Sequence, residues 1–271
     1  MTDRDSVTVA IVGAGEMGAA VGGRLREAGA RVVTSLAGRS ADSVARVRNA
    51  GLEVVNDDDS LVRDASFVLS IVPPGVAVEV AERLRGPVSR ADEPPVYVEC
   101  NAISPATCRR IGDLFDATNF IDAGIIGGPP VAGTQDPAKG PRFYASGRDA
   151  YLMTRLADFG LDVAVLDGPV GHASGLKLSY AGLTKGFTAL CATMLGAAER
   201  EGLVDALRTE LARSQPSFLA RMERALPDMR PKAYRWVAEM QQIAEFVDSP
   251  DEGATIYEGA ALLFQRIAES T

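Results

Sequence analysis

Val7-Thr-Val-Ala-Ile-Val-Gly-Ala-Gly-Glu-Met-Gly18 is the stretch that decides how this chain is read. Its first six residues form a β-branched, apolar run, the pattern of a strand buried on both faces of a parallel sheet. Gly13, Gly15 and Gly18 then follow in GxGxxG spacing and open a helical stretch that ends near Gly29. In such a loop the first glycine makes the tight turn and the second lets backbone approach a pyrophosphate. The third lets helix and strand pack closely, while the helix N-terminus aims N–H donors at the anion. Gly13, Ala14, Gly15, Glu16, Met17 and Gly18 are therefore the candidate dinucleotide contacts.

Working outward, short apolar runs recur at 31–35, 66–72, 96–100, 120–122, 142–145 and 162–165, with helical stretches between several of them. That alternation predicts a doubly wound α/β fold built on a parallel sheet. After Gly168-Pro169 no strand pattern returns. A long helix is predicted from Ala173 to Arg200, with Leu176, Tyr180, Leu183, Phe187, Leu190 and Met194 as one apolar stripe. Further helices are expected near 203–213, 217–225, 231–247 and 254–269, separated by Pro216, Pro227, Pro231 and Pro250. The expected domains are residues 1–167, which bind the cofactor, and residues 168–271, an all-helical domain for substrate and dimerisation.

Composition excludes several classes. A formal charge of -8 argues against nucleic acid as a partner, since phosphate binding needs a basic face. No window has the apolar length of a membrane helix, and the start lacks a signal-peptide pattern. Cys100, Cys108 and Cys191 form no CxxC pair, and His172 is the only histidine. A metal site is not expected, the thiols read as reduced, and the expected location is the cytoplasm.

NAD-binding loops usually end their second strand on an acidic residue that holds the ribose 2'-hydroxyl. Here no Asp or Glu stands between Glu27 and Asp42, and the segment instead offers Arg39 and Ser40. A cation and a hydroxyl suit a 2'-phosphate, so NADP(H) is expected over NAD(H). Two further loops fall at strand ends. Ser70-Ile71-Val72-Pro73 is expected beside the cofactor, and Asn101 is placed to contact the nicotinamide ribose.

Four motifs together resemble the β-hydroxyacid dehydrogenases, a family related to 6-phosphogluconate dehydrogenase and the imine reductases. They are the glycine loop, Asn101-Ala-Ile-Ser-Pro105, Asp122-Ala-Gly-Ile-Ile-Gly-Gly128 and Gly171-His-Ala-Ser-Gly-Leu-Lys177. The resemblance implies a Rossmann-type domain followed by a helical domain, here a compact variant. It also implies that Lys177 is the acid or base at the substrate oxygen. The chemistry agrees, because carbonyl reduction needs a proton donor as hydride arrives.

At 3.6 residues per turn, Lys177, Tyr180, Ala181, Thr184 and Lys185 share one helix face. Tyr180 is read as a catalytic and substrate contact, with Thr184 and Lys185 as further contacts, Lys185 facing a second anionic group. Gly182 and Gly186 imply close approach by another backbone or a ligand. The family's usual asparagine is here Ala181. The serine of its substrate loop is here Ile126, leaving the Gly127 and Gly128 N–H groups to hold a carboxylate. His172 either lines the same pocket or packs on its own turn.

The expected activity is hydride transfer between NADP(H) and a small anionic substrate, a carboxylic acid bearing a hydroxyl or carbonyl. The alternatives are an NADPH-dependent imine reductase and a non-catalytic NADP(H) sensor or scaffold. A homodimer is expected, its 235–246 stretch and other C-terminal helices approaching the partner's interdomain cleft.

Overall fold

The computed structural model describes residues 7–115, 120–134, 136–247 and 253–270. They divide into two compact units, the division falling after Lys177.

The first unit alternates strand and helix as its sequence pattern dictates. β1 (Thr8–Val12), α1 (Glu16–Glu27), β2 (Arg31–Ser35), α2 (Ala41–Ala50), β3 (Glu53–Val55) and α3 (Asp58–Val62) form its first half. β4 (Phe67–Ser70), α4 (Ala77–Arg90), β5 (Val96–Glu99), α5 (Pro105–Gly112) and β6 (Phe120–Ile126) continue it. β7 (Arg142–Ser146), a 3-10 helix at Ala150–Phe159 and β8 (Asp162–Val165) close it.

The strands form one sheet in the order β3-β2-β1-β4-β5-β6-β7-β8. Every pairing is parallel except β6 with β7. Order reverses beside β1, which opens the crevice beyond the carboxyl ends of β1 and β4 where doubly wound sheets bind ligands. All five residues of β1 are buried, as are the four of β4 and the four of β5. One apolar layer lies on each face of the sheet.

Two features escaped the sequence pattern. β3 is three residues long at the sheet edge, too short to show a period. β7 runs antiparallel to β6, a direction that strand composition does not encode.

Arg24 is buried on α1 between the inward-facing Val21 and Leu25. Its guanidinium donates to the backbone carbonyls of Val131, Asp136 and Gly160 at 3.1, 3.3 and 3.3 Å. One arginine thus ties the segment that follows Gly127-Gly128 to the first helix.

The remaining helices are α6 (His172–Arg200), α7 (Val204–Ser214), α8 (Pro216–Met229), α9 (Ala233–Phe246) and α10 (Gly253–Glu269). Pro216 starts α8, where its missing N–H costs nothing. Pro227, expected as a break, lies inside α8. Pro231 belongs to the 3-10 turn Arg230–Lys232, and Pro250 lies outside the described residues.

Within the second unit, Leu178, Ala181, Gly182 and Ala189 form the buried side of α6, while most of the expected apolar stripe faces outward and Phe187 packs edge-on against Phe218. Leu183, Leu190 and Met194 are 74%, 59% and 55% exposed. The approach to Gly182 and Gly186 is made by the Tyr257 ring of α10, a side chain rather than a backbone or ligand. A Cβ at Gly182 would stand 2.9 Å from the Tyr257 hydroxyl. The buried apolar residues of the 235–246 stretch, Met240, Ile243 and Ala244, belong to this unit's interior, and Trp236 packs edge-on against Phe264 with ring centroids 5.1 Å apart. Exposed apolar residues of this unit lie on α6 and also on α9 and α10, among them Tyr234, Ile256 and Leu262.

Candidate active site

The glycine loop has the geometry its spacing implies. Gly13 has φ +109°, and a Cβ there would meet the Ile71 carbonyl oxygen at 2.1 Å. A Cβ at Gly18 would stand 2.0 Å from the Gly13 oxygen, so strand and helix close together only because both are glycines. Gly15, by contrast, has open space at its Cβ position and caps α1 with no side-chain hydrogen bond. A diphosphate fits that opening, where the N–H groups of the first turn supply donors. Ala14 and Gly18 are buried, Met17 is half-buried against the core, and Glu16 is exposed.

Asn101 is held by hydrogen bonds within the protein. Its Oδ1 accepts from the Val72 N–H at 2.6 Å and its Nδ2 donates to Ser70 Oγ at 3.1 Å. The amide therefore bridges two loops and fixes the path of Ile71, Val72 and Pro73. Beneath it, the Asn101 N–H donates to Glu99 Oε1 at 2.9 Å. Glu99 is fully buried, and its Oε2 has no hydrogen-bond partner among the described residues. Desolvation pushes its pKa up to about 8; hydrogen bonds from Asn101 oppose the shift, and the Asp122 charge adds to it. The sequence pattern gives Glu99 no role, because burial on both faces of β5 is a property of the sheet.

Beyond the ends of β1, β2 and β3 lies a cleft of about 220 Å³ whose lining includes Gly13, Ser35, Arg39, Asp57, Asp58 and Arg83. Its carboxylates are engaged. Asp58 pairs with Arg83 at 3.1 Å, and Asp57 caps α3 by accepting from the Ser60 N–H at 2.7 Å. Arg39 is exposed at the rim. Ser40 is the N-cap of α2, its hydroxyl accepting from the Ser43 N–H.

A second cluster gathers around β6 and the start of α6. Asp122 is fully buried, and its Oδ2 accepts from the Gly171 N–H at 2.8 Å, the Ser174 N–H at 3.1 Å and Ser146 Oγ at 2.9 Å. Its Oδ1 accepts from Ser174 Oγ at 2.6 Å. This carboxylate takes up N–H groups that the helix start leaves over and pins α6 to β6. Gly124 completes the junction. A Cβ there would stand 2.7 Å from the Ala173 carbonyl oxygen and 3.0 Å from Lys177 Cβ. The strand continues through Ile126 into Gly127, whose φ is +127°, and Gly128, whose Cβ position is open. The structure thus brings Lys177 against the strand that leads into the two-glycine turn.

His172 is not part of this cluster. It is exposed, and its ring lies on its own turn, where a Cβ at Gly168 would meet Nδ1 at 1.9 Å. Five residues along a helix is about 140° of rotation, so His172 and Lys177 leave α6 on different sides.

Three other candidates belong to the second unit. Tyr180 is half-exposed. The Thr184 hydroxyl donates back to the Tyr180 carbonyl at 2.9 Å. Lys185 is engaged within its own chain: its ammonium is ion-paired with the buried carboxylate of Glu239 and lies 5.1 Å from the Trp236 ring centroid. Its charge is held by a carboxylate of its own chain, which nothing in the 177–185 spacing announces.

A doubly wound sheet with this glycine loop, followed by helices, defines a nicotinamide dinucleotide-binding protein of the 3-hydroxyacid dehydrogenase architecture, a fold shared with imine reductases. The chain belongs to the family defined by the NAD binding domain of 6-phosphogluconate dehydrogenase, matched over residues 8–158; residues 198–267 match a domain of unknown function, DUF1932. An uncharacterised 28.5 kDa protein of Methanothermus fervidus is 29% identical over 176 residues, a match spanning 65% of this chain and 65% of that protein. The solved structure of MTH1747, a conserved protein of unknown function similar to 3-hydroxyacid dehydrogenases, is 29% identical. It superposes with a TM-score of 0.72 over 97% of this chain and 98% of its own. The 3-hydroxyisobutyrate dehydrogenase of Mycobacterium tuberculosis, solved with L-serine, is 18% identical with a TM-score of 0.70 over 97% of this chain and 94% of its own. Among the described residues, no helix is long and apolar enough to cross a membrane.

Proposed function

We propose that this protein is an NADP(H)-dependent oxidoreductase acting reversibly on a small carboxylic acid that bears a hydroxyl or carbonyl group. The observation that carries the reading is the junction at Gly124, which sets Lys177 against β6 just before the Gly127-Gly128 turn. Bound at the glycine loop, the nicotinamide cofactor supplies or accepts the hydride. The chain's own residues do the rest. Backbone N–H groups of Gly127 and Gly128 hold the substrate carboxylate. The Lys177 ammonium gives a proton to the substrate oxygen during reduction and takes one during oxidation. A cation there also stabilises negative charge growing on that oxygen.

The choice of NADP(H) rests on Arg39 at the rim of the 220 Å³ cleft, together with the absence of an acidic residue at the end of β2. The cofactor-binding domain corresponds to residues 1–167 and the helical domain to 168–271, in a cytoplasmic protein. We read the active form as a homodimer that uses the exposed Leu183, Leu190 and Met194 of α6, since exposed apolar side chains on one helix face favour association.

The test is NADPH oxidation by the purified protein against 2- and 3-keto acids, semialdehydes and cyclic imines. Turnover confined to carboxylate-bearing carbonyls is the expected result. Turnover confined to cyclic imines assigns an imine reductase, and NADPH binding without turnover of any class assigns a sensor.

A further inference from the structure

The second unit contains a cleft of about 570 Å³ formed by residues of α6, α8 and α9. Tyr180, Lys185, Arg221, Arg224, Asp228 and Trp236 give it its chemistry. Its ionic pairs can be followed outward. Lys185 is paired with Glu239, and Asp228 with Lys232 at 2.5 Å. Each pair is neutral. The two guanidinium groups are left over, with no carboxylate partner among the described residues. Arg221 and Arg224 are three residues apart on α8 and so share a face. Arg221 is steadied by the Phe187 ring, 4.3 Å from its Cζ to the ring centroid.

Two uncompensated positive charges at one cleft stand out in a chain of net charge -8. A guanidinium presents a planar fork of donors that matches paired oxygens, and two forks match a doubly charged head. The other walls favour an organic body. Trp236 and Tyr180 offer flat apolar surface. The Thr184 hydroxyl proton is committed to a backbone carbonyl one turn back, so its oxygen is presented as an acceptor.

We propose that this cleft binds a small organic dianion, a doubly charged oxyanion head carried on a flat or hydroxylated body, with Arg221 and Arg224 holding the head. The cleft lies wholly within the second unit, so this site stands apart from the reading of Lys177 and the Gly127-Gly128 turn.

Trp236 is the sole tryptophan, so its fluorescence reports binding directly. The experiment titrates the full chain, without cofactor, with phenyl phosphate, inorganic phosphate and phenyl sulfate. The last has the shape of phenyl phosphate with one charge fewer. Phenyl phosphate is expected to give a saturable signal, with affinity about tenfold or more above phenyl sulfate and above inorganic phosphate. Arg224→Gln, at an exposed position with no hydrogen bond to lose among the described residues, is expected to weaken it by about ten- to a hundredfold. Arg213→Gln, on α7 and paired with Glu210, is expected to leave it unchanged. Circular dichroism checks that each variant is folded. A signal that never saturates, equal affinity for phenyl phosphate and phenyl sulfate, or undiminished binding by folded Arg224→Gln would each overturn the proposal. Since no turnover is read, such a failure leaves the oxidoreductase reading to its own test.

Discussion

Gly124 and Lys177 meet across the junction of β6 and α6 so closely that a methyl group on Gly124 would stand 3.0 Å from Lys177 Cβ and 2.7 Å from the Ala173 carbonyl oxygen. The contact fixes where the Lys177 ammonium starts from, and the buried Asp122 carboxylate fixes the helix that carries it. Lys177→Met is expected to bind NADPH as the wild type does and to lose about two to four orders of magnitude in turnover. Gly124→Ala is expected to push strand and helix apart, costing about 1–3 kcal/mol of stability and lowering kcat with Lys177 still present. Steady-state kinetics, a cofactor titration and thermal melts on both variants check this. Near-normal kcat in Lys177→Met makes the lysine structural.

Arg39→Ala is expected to lower NADPH affinity about ten- to a hundredfold by removing a charge-assisted contact to the 2'-phosphate. NADH affinity is expected to stay put. Calorimetric titration of both cofactors reads this, and equal losses for the two would refute the assignment.

Glu99 links stability to pH. Its folded pKa is raised to about 8 from 4.5, chiefly by desolvation. Below pH 4.5 the carboxyl is protonated whether folded or unfolded, and its contribution is intact. Between 4.5 and about 8 the unfolded chain releases a proton that the native state keeps, so stability falls as pH rises, and it levels off above 8. Glu99→Gln is expected to flatten this slope and to gain up to about 3 kcal/mol near neutral pH. Urea unfolding of both proteins at several pH values measures it; parallel curves would remove Glu99 as the cause.

The Lys185–Glu239 pair makes a different prediction from a substrate-binding lysine. Lys185→Met strands a buried carboxylate and is expected to cost about 3–5 kcal/mol. Adding Glu239→Gln to that variant is expected to recover most of the loss, because no uncompensated charge remains. A double-mutant cycle in denaturant tests the coupling, and additive effects would show that the two side chains act independently.

The wild type is expected to give twice the chain mass by light scattering, and Leu183→Asp combined with Leu190→Asp is expected to yield monomers. Both side chains are exposed on α6, so the chain itself is expected to fold normally. A wild type of single-chain mass at micromolar concentration would refute the dimer.

The sequence by itself determined the architecture of the first unit and the form of its cofactor loop. Periodicity announces strands because each residue's burial follows from local geometry, and the glycines at 13 and 18 are required by contacts within one strand–turn–helix unit or its neighbouring strand. Tertiary structure decided what depends on residues far apart in the chain. The antiparallel entry of β7 and the capture of Lys185 by Glu239 fall in this class. So do the bridging amide of Asn101, the anchoring of α6 by Asp122 and the buried cation of Arg24. The apolar stripe of α6 shows the difference most plainly. Spacing revealed that Leu183, Leu190 and Met194 share a face, but glycines 182 and 186 chose the buried side by letting the Tyr257 ring come close. A helix turns its periodicity into a face locally; which face is covered depends on the neighbour that can approach nearest.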